Sequence, residues 1–251
     1  YEALDRWVGH IPGGLMHTNV AASAVFAATS GSSIATSATI GTVSIPNMDK
    51  HGYNPNLFLG SIAAGGTLGI LIPPSINMVL YGAMSETAVS DLYLAALIPG
   101  ILLALMFSVY IYVRCVINPA LAPATTRADW SRRWSALKHL LPPLFLFLLV
   151  VGSIYAGLAT ATEASALGVM GALLLVVTRG RFSVPMLLRS FEGTVRTTAM
   201  VMAIVLAAYF LNFVLSTLGL TDAAVQWVGH LGWSPTAVLM AIIVLYIFLG
   251  C

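Results

Sequence analysis

Long apolar stretches separated by short polar connections run through the chain. A helix needs roughly 20 apolar residues to cross about 30 Å of hydrocarbon, and five stretches approach or exceed that length. They lie at residues 55–84, 92–115, 140–155, 160–178 and 194–218. Two further apolar stretches, at 14–45 and 234–251, are interrupted or reach the last residue. The pattern predicts an all-α polytopic membrane protein.

The composition agrees with this pattern. Hydrophobic residues make up 59% of the 251 residues and charged residues only 8%, and the mean hydropathy is +0.92. Such a chain has too little charged surface to cover a soluble globule. The two cysteines, Cys115 and Cys251, have no metal or redox spacing. The net charge of +2 does not indicate nucleic-acid binding, because the basic residues have a topological explanation.

Basic residues alternate between the connections. They concentrate at 114–138 and 179–196, whereas the connections at 85–91, 156–159 and 217–235 contain no Lys or Arg. Threading five spans through this pattern places all eleven Lys and Arg residues on one face of the membrane. The positive-inside rule identifies that face as cytoplasmic.

A short repeat relates the two ends of the chain. The tetrapeptide Trp-Val-Gly-His occurs at 7–10 and at 227–230, each time after an acidic amphipathic stretch and before a long apolar segment. An odd number of spans separates the copies, so they have opposite orientations. Inverted repeats are typical of secondary transporters, in which substrate lies at the repeat interface near the midplane. The alternative is that two interfacial helices share the tetrapeptide by chance.

Residues 29–47, TSGSSIATSATIGTVSIPN, concentrate small and hydroxyl side chains inside an apolar stretch. The stretch is long for one span and short for two, so a re-entrant hairpin that turns at residues 30–33 fits its length. Backbone that bends at this depth must be buried in protein or line a polar cavity. Freed carbonyls and serine hydroxyls suit a cation such as Na⁺. The alternative is a closely packed pair of helices with no ion.

A second interruption lies inside the span 55–84, in the sequence GGTLGILIPPS at 65–75. Pro74 lacks an N–H and the residue before a proline is restricted, so the helix must open at Pro73 and Pro74. Two discontinuous elements so close in sequence predict one shared site near the midplane. Asn77 follows the break, where it either contacts substrate or bonds to the opened backbone.

These motifs resemble those of a known family. The Ser-Gly-Ser-Ser tip, GYNP at 52–55 and GTLGILIPPS at 66–75, in that order, are similar to the large membrane subunit of tripartite ATP-independent periplasmic (TRAP) transporters. IPGGL at 11–15 and TATEASALG at 160–168 extend the resemblance along the chain. The resemblance implies a Na⁺-driven secondary transporter in the bacterial inner membrane that imports C4-dicarboxylates, sialic acids or other small carboxylates.

The same resemblance implies partners and site residues. A periplasmic binding protein delivers the substrate, a small four-helix membrane subunit completes the complex, and transport follows the elevator mechanism of the ion-transporter superfamily. No cofactor is implied besides Na⁺ as coupling ion. The implied Na⁺ ligands are Ser30, Ser32, Ser33, Gly66, Gly69 and Pro73, and the implied substrate contacts are Ser32, Thr36 and Asn77.

The predicted organisation combines inverted repeats, a re-entrant hairpin and discontinuous helices. Its segments are an interfacial arm helix at 1–13, re-entrant hairpin 1 at 14–47, a discontinuous membrane helix at 54–84, a membrane helix at 91–115, a cytoplasmic interfacial segment at 116–138, two scaffold helices at 139–178, a cytoplasmic arm and membrane helix at 179–218, a periplasmic interfacial helix at 219–234 and the start of a second hairpin at 235–251. The chain is expected to be a fragment, with the counterpart of the first tip beginning at 250–251.

Other function classes fit these residues less well. An intramembrane serine hydrolase would use Ser32 or Ser33 as nucleophile and His17 as base, but a hairpin arm separates His17 from the tip. A channel would need rings of like charge or repeated carbonyl filters. Another inverted-repeat ion or anion transporter and a purely structural membrane subunit are further alternatives. Glu163 is expected to serve the N-terminus of its helix rather than a site in the membrane.

Overall fold

A computed structural model of the chain describes residues 1–123 and 130–249, without the side chains of Ser131 and Arg132. The chain divides into two units, Tyr1–Arg181 and Phe182–Cys251. Two features of the sequence lie outside the described residues. They are Arg127, in the basic connection, and the expected start of the second tip at 250–251.

The described part of the first unit is built from helices. They are α1 (Glu2–Val8), α2 (Leu15–Ser30), α3 (Ser33–His51), α4 (Pro55–Leu71), α5 (Ile76–Ser85), α6 (Val89–Ile117), α7 (Trp130–Leu137), α8 (Leu141–Phe147), α9 (Ser153–Tyr155) and α10 (Ala161–Thr178). Short 3₁₀ turns at Pro119–Leu121 and Lys138–Leu140 precede α7 and α8, respectively. A π-helical turn at Leu148–Gly152 joins α8 to α9 without a break.

The second unit contains α11 (Val184–Thr217), α12 (Leu220–His230) and α13 (Pro235–Leu249). Helix α11 has 34 residues, which corresponds to roughly 51 Å and exceeds the hydrocarbon thickness. The cytoplasmic arm expected before the last span is therefore the first part of this same helix. The repeated tetrapeptide ends α12, whereas α1 ends at Val8, in the middle of its own copy.

Five helical segments in the described residues are long and apolar enough to cross a membrane. They are Pro55–Ser85, Val89–Ile117, Arg133–Tyr155, Ala161–Thr178 and Val184–Thr217. This confirms the prediction of an all-α membrane protein with five spans, and the described residues contain no strand. The third and fifth spans begin earlier than hydropathy indicates, because polar residues at their N-terminal ends continue the helix.

Local sequence determines where α2, α3 and α4 begin and end. Gly31 ends α2 in the left-handed conformation, with φ of +61°, which favours glycine. The Ser32 hydroxyl caps α3 by accepting a hydrogen bond of 3.3 Å from an amide in its first turn. Asn54 caps α4 in the same way, and Pro55 occupies the first helical position. Pro73 and Pro74 lie in opened backbone between α4 and α5.

Helix α2 lies at the centre of the first unit, where it packs against α1, α3, α4, α6 and α8. The tightest contact is with α4. A Cβ atom at Gly65 of α4 would lie 2.6 Å from the hydroxyl oxygen of Ser23 on α2, so only glycine permits this separation. Close approach of small residues is how helices associate in a bilayer, where lipid is as apolar as the side chains.

A buried polar network holds α1 and α4 to the start of α2. The Tyr1 hydroxyl donates to Asn19 Oδ1 (2.7 Å), and Asn19 Nδ2 donates to Ser61 Oγ of α4 (2.9 Å). Asn19 is fully buried. The Thr18 hydroxyl lies 3.5 Å from Asp5 Oδ1, and burial raises the pKa of the Asp5 carboxyl.

Aromatic contacts join α1 to α7. The Trp7 ring packs edge-on against Trp130 and Trp134, with centroid distances of 6.3 and 5.9 Å. The Trp7 indole N–H donates to the Arg133 carbonyl (3.2 Å), and the Arg133 guanidinium lies 5.3 Å from the Trp130 ring centroid. The arm helix is therefore anchored to a segment far away in sequence.

We expect Asn19→Ala to destabilise the protein by about 1–3 kcal/mol, because it leaves buried hydroxyl groups without their partner. The midpoint of thermal unfolding of the purified full-length permease in detergent measures this. Thr42→Ala is the matched control, since Thr42 is exposed and its hydroxyl bonds only to Ala38 of the same helix. Equal unfolding temperatures for both variants would show that the network contributes no stability.

Candidate functional site

The tip of the α2–α3 hairpin meets the break between α4 and α5. The Ile76 amide donates a hydrogen bond of 3.3 Å to the Gly31 carbonyl. A Cβ atom at Gly31 would lie 2.6 Å from the Pro74 carbonyl oxygen. Glycine is thus required at the tip both by its positive φ and by the approach of the second backbone.

The first turn of α3 also lies directly against α4. A Cβ atom at Gly69 would lie 2.7 Å from the carbonyl oxygen of Ser32. A Cβ atom at Gly66 would lie 3.4 Å from the Ser33 carbonyl and would collide with the Ser37 hydroxyl. The glycines of the GTLGILIPPS motif therefore bring the oxygen atoms of the tip to the end of α4.

Hydroxyl groups order the tip from within. Thr36, which is fully buried, donates its single hydroxyl proton to the Ser32 carbonyl at 2.7 Å. The Ser30 hydroxyl, 3.1 Å from Thr36 Oγ1, must therefore donate to it. The Thr36 amide also donates to the Ser32 carbonyl at 3.0 Å, so both lone pairs of that oxygen are engaged.

Four helix termini converge at this junction. Helices α2 and α4 end there, and α3 and α5 begin there. The last carbonyls of a helix lack partners within the helix and carry partial negative charge, whereas the first amides carry partial positive charge. The junction can therefore attract a cation to the ends of α2 and α4, and an anion to the starts of α3 and α5.

Ser75 also lies at this junction, although the sequence did not indicate it as a ligand. Its side chain is 1% exposed, and its hydroxyl has no hydrogen-bond partner within the described part of the chain. A buried hydroxyl without a partner is costly, so the Ser75 hydroxyl is free to contact a ligand at the junction. The signal in the sequence is the serine that directly follows the two prolines, but its burial follows only from the fold.

The structure brings most of the predicted site residues together. Those around the junction are Ser30, Ser32, Ser33, Thr36, Gly66, Gly69 and Pro73. Asn77 lies in the first turn of α5 with an exposed side chain, which makes no hydrogen bond to any described residue. It therefore does not bond to the opened backbone, and its amide is accessible to a ligand.

Glu163 and His17 belong to other parts of the fold. Glu163 Oε2 accepts hydrogen bonds of 2.8 Å from the Thr160 amide and hydroxyl, closing a capping box at the start of α10. His17 Nε2 lies 2.9 Å from the Pro12 carbonyl, near the start of α2. Ser30 lies thirteen positions after His17 on α2, which corresponds to roughly 20 Å along the helix. His17 is therefore too far from the tip serines to act as their base.

We expect Gly69→Ala to destabilise the protein by about 1–3 kcal/mol, because the new methyl group overlaps the Ser32 carbonyl. Gly60→Ala is the control on the same helix, since a Cβ atom there meets nothing within 4 Å. Because alanine favours the helix, this variant should unfold at the same or a higher temperature. Thermal unfolding of the full-length permease measures this difference. Equal unfolding temperatures for Gly69→Ala and Gly60→Ala would show that Gly69 does not lie as close to the Ser32 carbonyl as described.

The chain is similar in sequence to known proteins. Residues 1–251 match the family described as the DctM component of the tripartite ATP-independent periplasmic transporter. Relatives include large permease proteins of three TRAP transporters. They are the C4-dicarboxylate transporter of Pseudomonas aeruginosa (36% identical over 97% of this chain and 57% of the relative), the ectoine/5-hydroxyectoine transporter of Ruegeria pomeroyi (34%, 98% and 57%) and the sialic acid transporter of Vibrio cholerae (30%, 97% and 57%).

The chain spans a little over half the length of these relatives. The family match nevertheless extends from the first residue to the last, and the five apolar helices agree with it. The family consists of transport proteins, not enzymes. The chain therefore belongs to the DctM family of TRAP transporter large permeases, multi-pass proteins of the bacterial inner membrane.

Proposed function

We propose that this chain is part of a Na⁺-coupled secondary transporter that imports small organic acids. The observation that carries the proposal is the junction of the hairpin tip with the α4–α5 break, joined by the Ile76–Gly31 hydrogen bond. Opened backbone at membrane depth exists only where protein or a polar cavity surrounds it. In secondary transporters such interruptions hold ions and substrate.

The cation lies at the ends of α2 and α4. Carbonyl and hydroxyl oxygens are the ligands that hard cations prefer. The Na⁺ ligands implied by the family resemblance remain in the proposed site, namely Ser30, Ser33, Gly66, Gly69 and Pro73. The Ser32 carbonyl already accepts two hydrogen bonds, so Ser32 acts through its hydroxyl. The unpartnered Ser75 hydroxyl joins the set.

The carboxylate of the substrate lies at the starts of α3 and α5. Free amides of these first turns attract an anion, and Ser32 and Asn77 stand at the two N-termini. Thr36 is buried with its hydroxyl proton committed, so its role is to hold the tip rather than to touch substrate. The relatives are named for ectoine, C4-dicarboxylates and sialic acid, so the carboxylate, rather than one particular acid, is proposed.

The rest of the transport cycle is proposed from the repeat and the family. The tetrapeptide at 7–10 and 227–230 marks inverted repeats, with a second hairpin completing the site. The hairpin and broken helix move as one body past the scaffold helices in an elevator mechanism. A small membrane subunit and a periplasmic binding protein complete the transporter, which agrees with the family.

Uptake by the full complex tests this function. The permease, its small subunit and its binding protein are reconstituted in vesicles, and uptake of labelled C4-dicarboxylate, ectoine and sialic acid is measured. We expect an inward Na⁺ gradient to raise uptake several-fold over K⁺, and only with the binding protein present. Equal uptake without Na⁺ would exclude the cation site, and equal uptake without the binding protein would exclude that partner.

The site residues are tested by the Na⁺ concentration that gives half-maximal uptake. We expect Ser33→Ala and Ser75→Ala to raise it about tenfold, because each loses an oxygen contact with a charge worth about 1.5 kcal/mol. Glu163→Gln should change it less, since Glu163 only caps α10. A larger effect of Glu163→Gln would reverse the assignment of these roles.

A further inference from the structure

A groove of about 500 Å³ lies between α2 and α8, beside α6. Its walls are apolar side chains, among them Val25, Leu97, Leu144 and Phe147. One charged side chain lines it, that of Lys138, in the turn that precedes α8. The groove is therefore apolar along its length and basic at one end.

The depth of the groove matches one leaflet of a bilayer. Inward of Trp134 and Leu137, the lining continues from Lys138 to Phe147, nine residues further along the chain, which is roughly 14 Å along helical backbone. Half of the hydrocarbon thickness is about 15 Å. On α2 its lining ends at Ala28, two residues before that helix ends at Ser30. The groove thus reaches from the membrane surface to the midplane.

The side chains at the mouth of the groove are of the types that are enriched where a membrane meets water. Trp134, 63% exposed, and Lys138, also exposed, both line it. Tryptophan is enriched at the level of lipid headgroups, and lysine there attracts anionic lipid of the cytoplasmic leaflet. Lys138 belongs to the basic connections that the positive-inside rule places on the cytoplasmic side.

We propose that one acyl chain of an anionic phospholipid from the cytoplasmic leaflet occupies this groove, with the lipid phosphate at Lys138. An acyl chain brings no polar groups into the apolar walls. An irregular protein segment would bring amides and carbonyls that find no partners there. The charge at the mouth complements phosphate, and the end of the acyl chain lies beside the hairpin tip. This site goes beyond the transport function and does not depend on it.

Photolabelling of the full transporter complex tests the site. The complex is placed in vesicles of phosphatidylcholine that contain phosphatidylglycerol with a photoreactive group at the end of one acyl chain. We expect labelled peptides from α2 and α8. Val25→Trp should reduce this labelling several-fold because the indole fills the groove, whereas Val109→Trp, on the exposed surface of α6, should not. No labelling of α2 and α8 in the wild type, as when a protein segment fills the groove, would overturn the proposal.

Lys138→Gln tests the headgroup without disturbing the apolar walls, since Lys138 is exposed. We expect it to reduce labelling by the phosphatidylglycerol probe several-fold, and to leave labelling by a matched phosphatidylcholine probe, already weak, unchanged. Equal labelling of the wild type by both probes would overturn the proposed contact with an anionic lipid. Unchanged labelling in Val25→Trp would overturn the groove as the site of the acyl chain.

Discussion

Where a helix is interrupted inside a membrane, the freed backbone groups must find hydrogen-bond partners within the protein. The hydrogen bond from the Ile76 amide to the Gly31 carbonyl joins two such interruptions. The hairpin tip and the break between α4 and α5 would each expose polar groups that cost several kcal/mol in lipid. Placed against each other they become mutual partners. The two motifs, 45 residues apart by this bond, therefore form one structural unit.

The glycines and serines around this unit follow from the same constraint. Gly31 and Gly69 let backbone approach backbone, since a Cβ atom at either would lie within 2.7 Å of a carbonyl oxygen. Thr36 and Ser30 fix the turn through hydroxyl groups. The same junction brings together the carbonyl ends of α2 and α4, which carry partial negative charge, and the amide ends of α3 and α5, which carry partial positive charge. These partial charges of opposite sign are the reason for proposing a cation and a carboxylate at the same junction.

Much of this arrangement could be predicted from the sequence, because it depends on residues with strong local effects. Gly31, Pro73 and Pro74 mark the tip and the break, and the hydropathy and charge patterns predict five spans. The individual side-chain contacts between distant segments could not be predicted. The packing of Trp7 against α7, the Asn19–Ser61 hydrogen bond and the burial of the Ser75 hydroxyl depend on how helices approach in space. The hydrogen bond from the Thr36 hydroxyl to the Ser32 carbonyl likewise depends on the side-chain rotamer of Thr36 and on the distance between the two groups.

We tie cation binding to the contact between the tip and the break, and the reactivity of a thiol placed beside the hydrogen bond that joins them tests this link. In the full transporter with its native cysteines replaced, Asn77→Cys is labelled with a maleimide in Na⁺ or in K⁺, with Thr42→Cys as control. We expect Na⁺ to slow labelling at residue 77 several-fold relative to K⁺ and to have no effect at residue 42. Equal labelling rates at residue 77 in the two salts would contradict it.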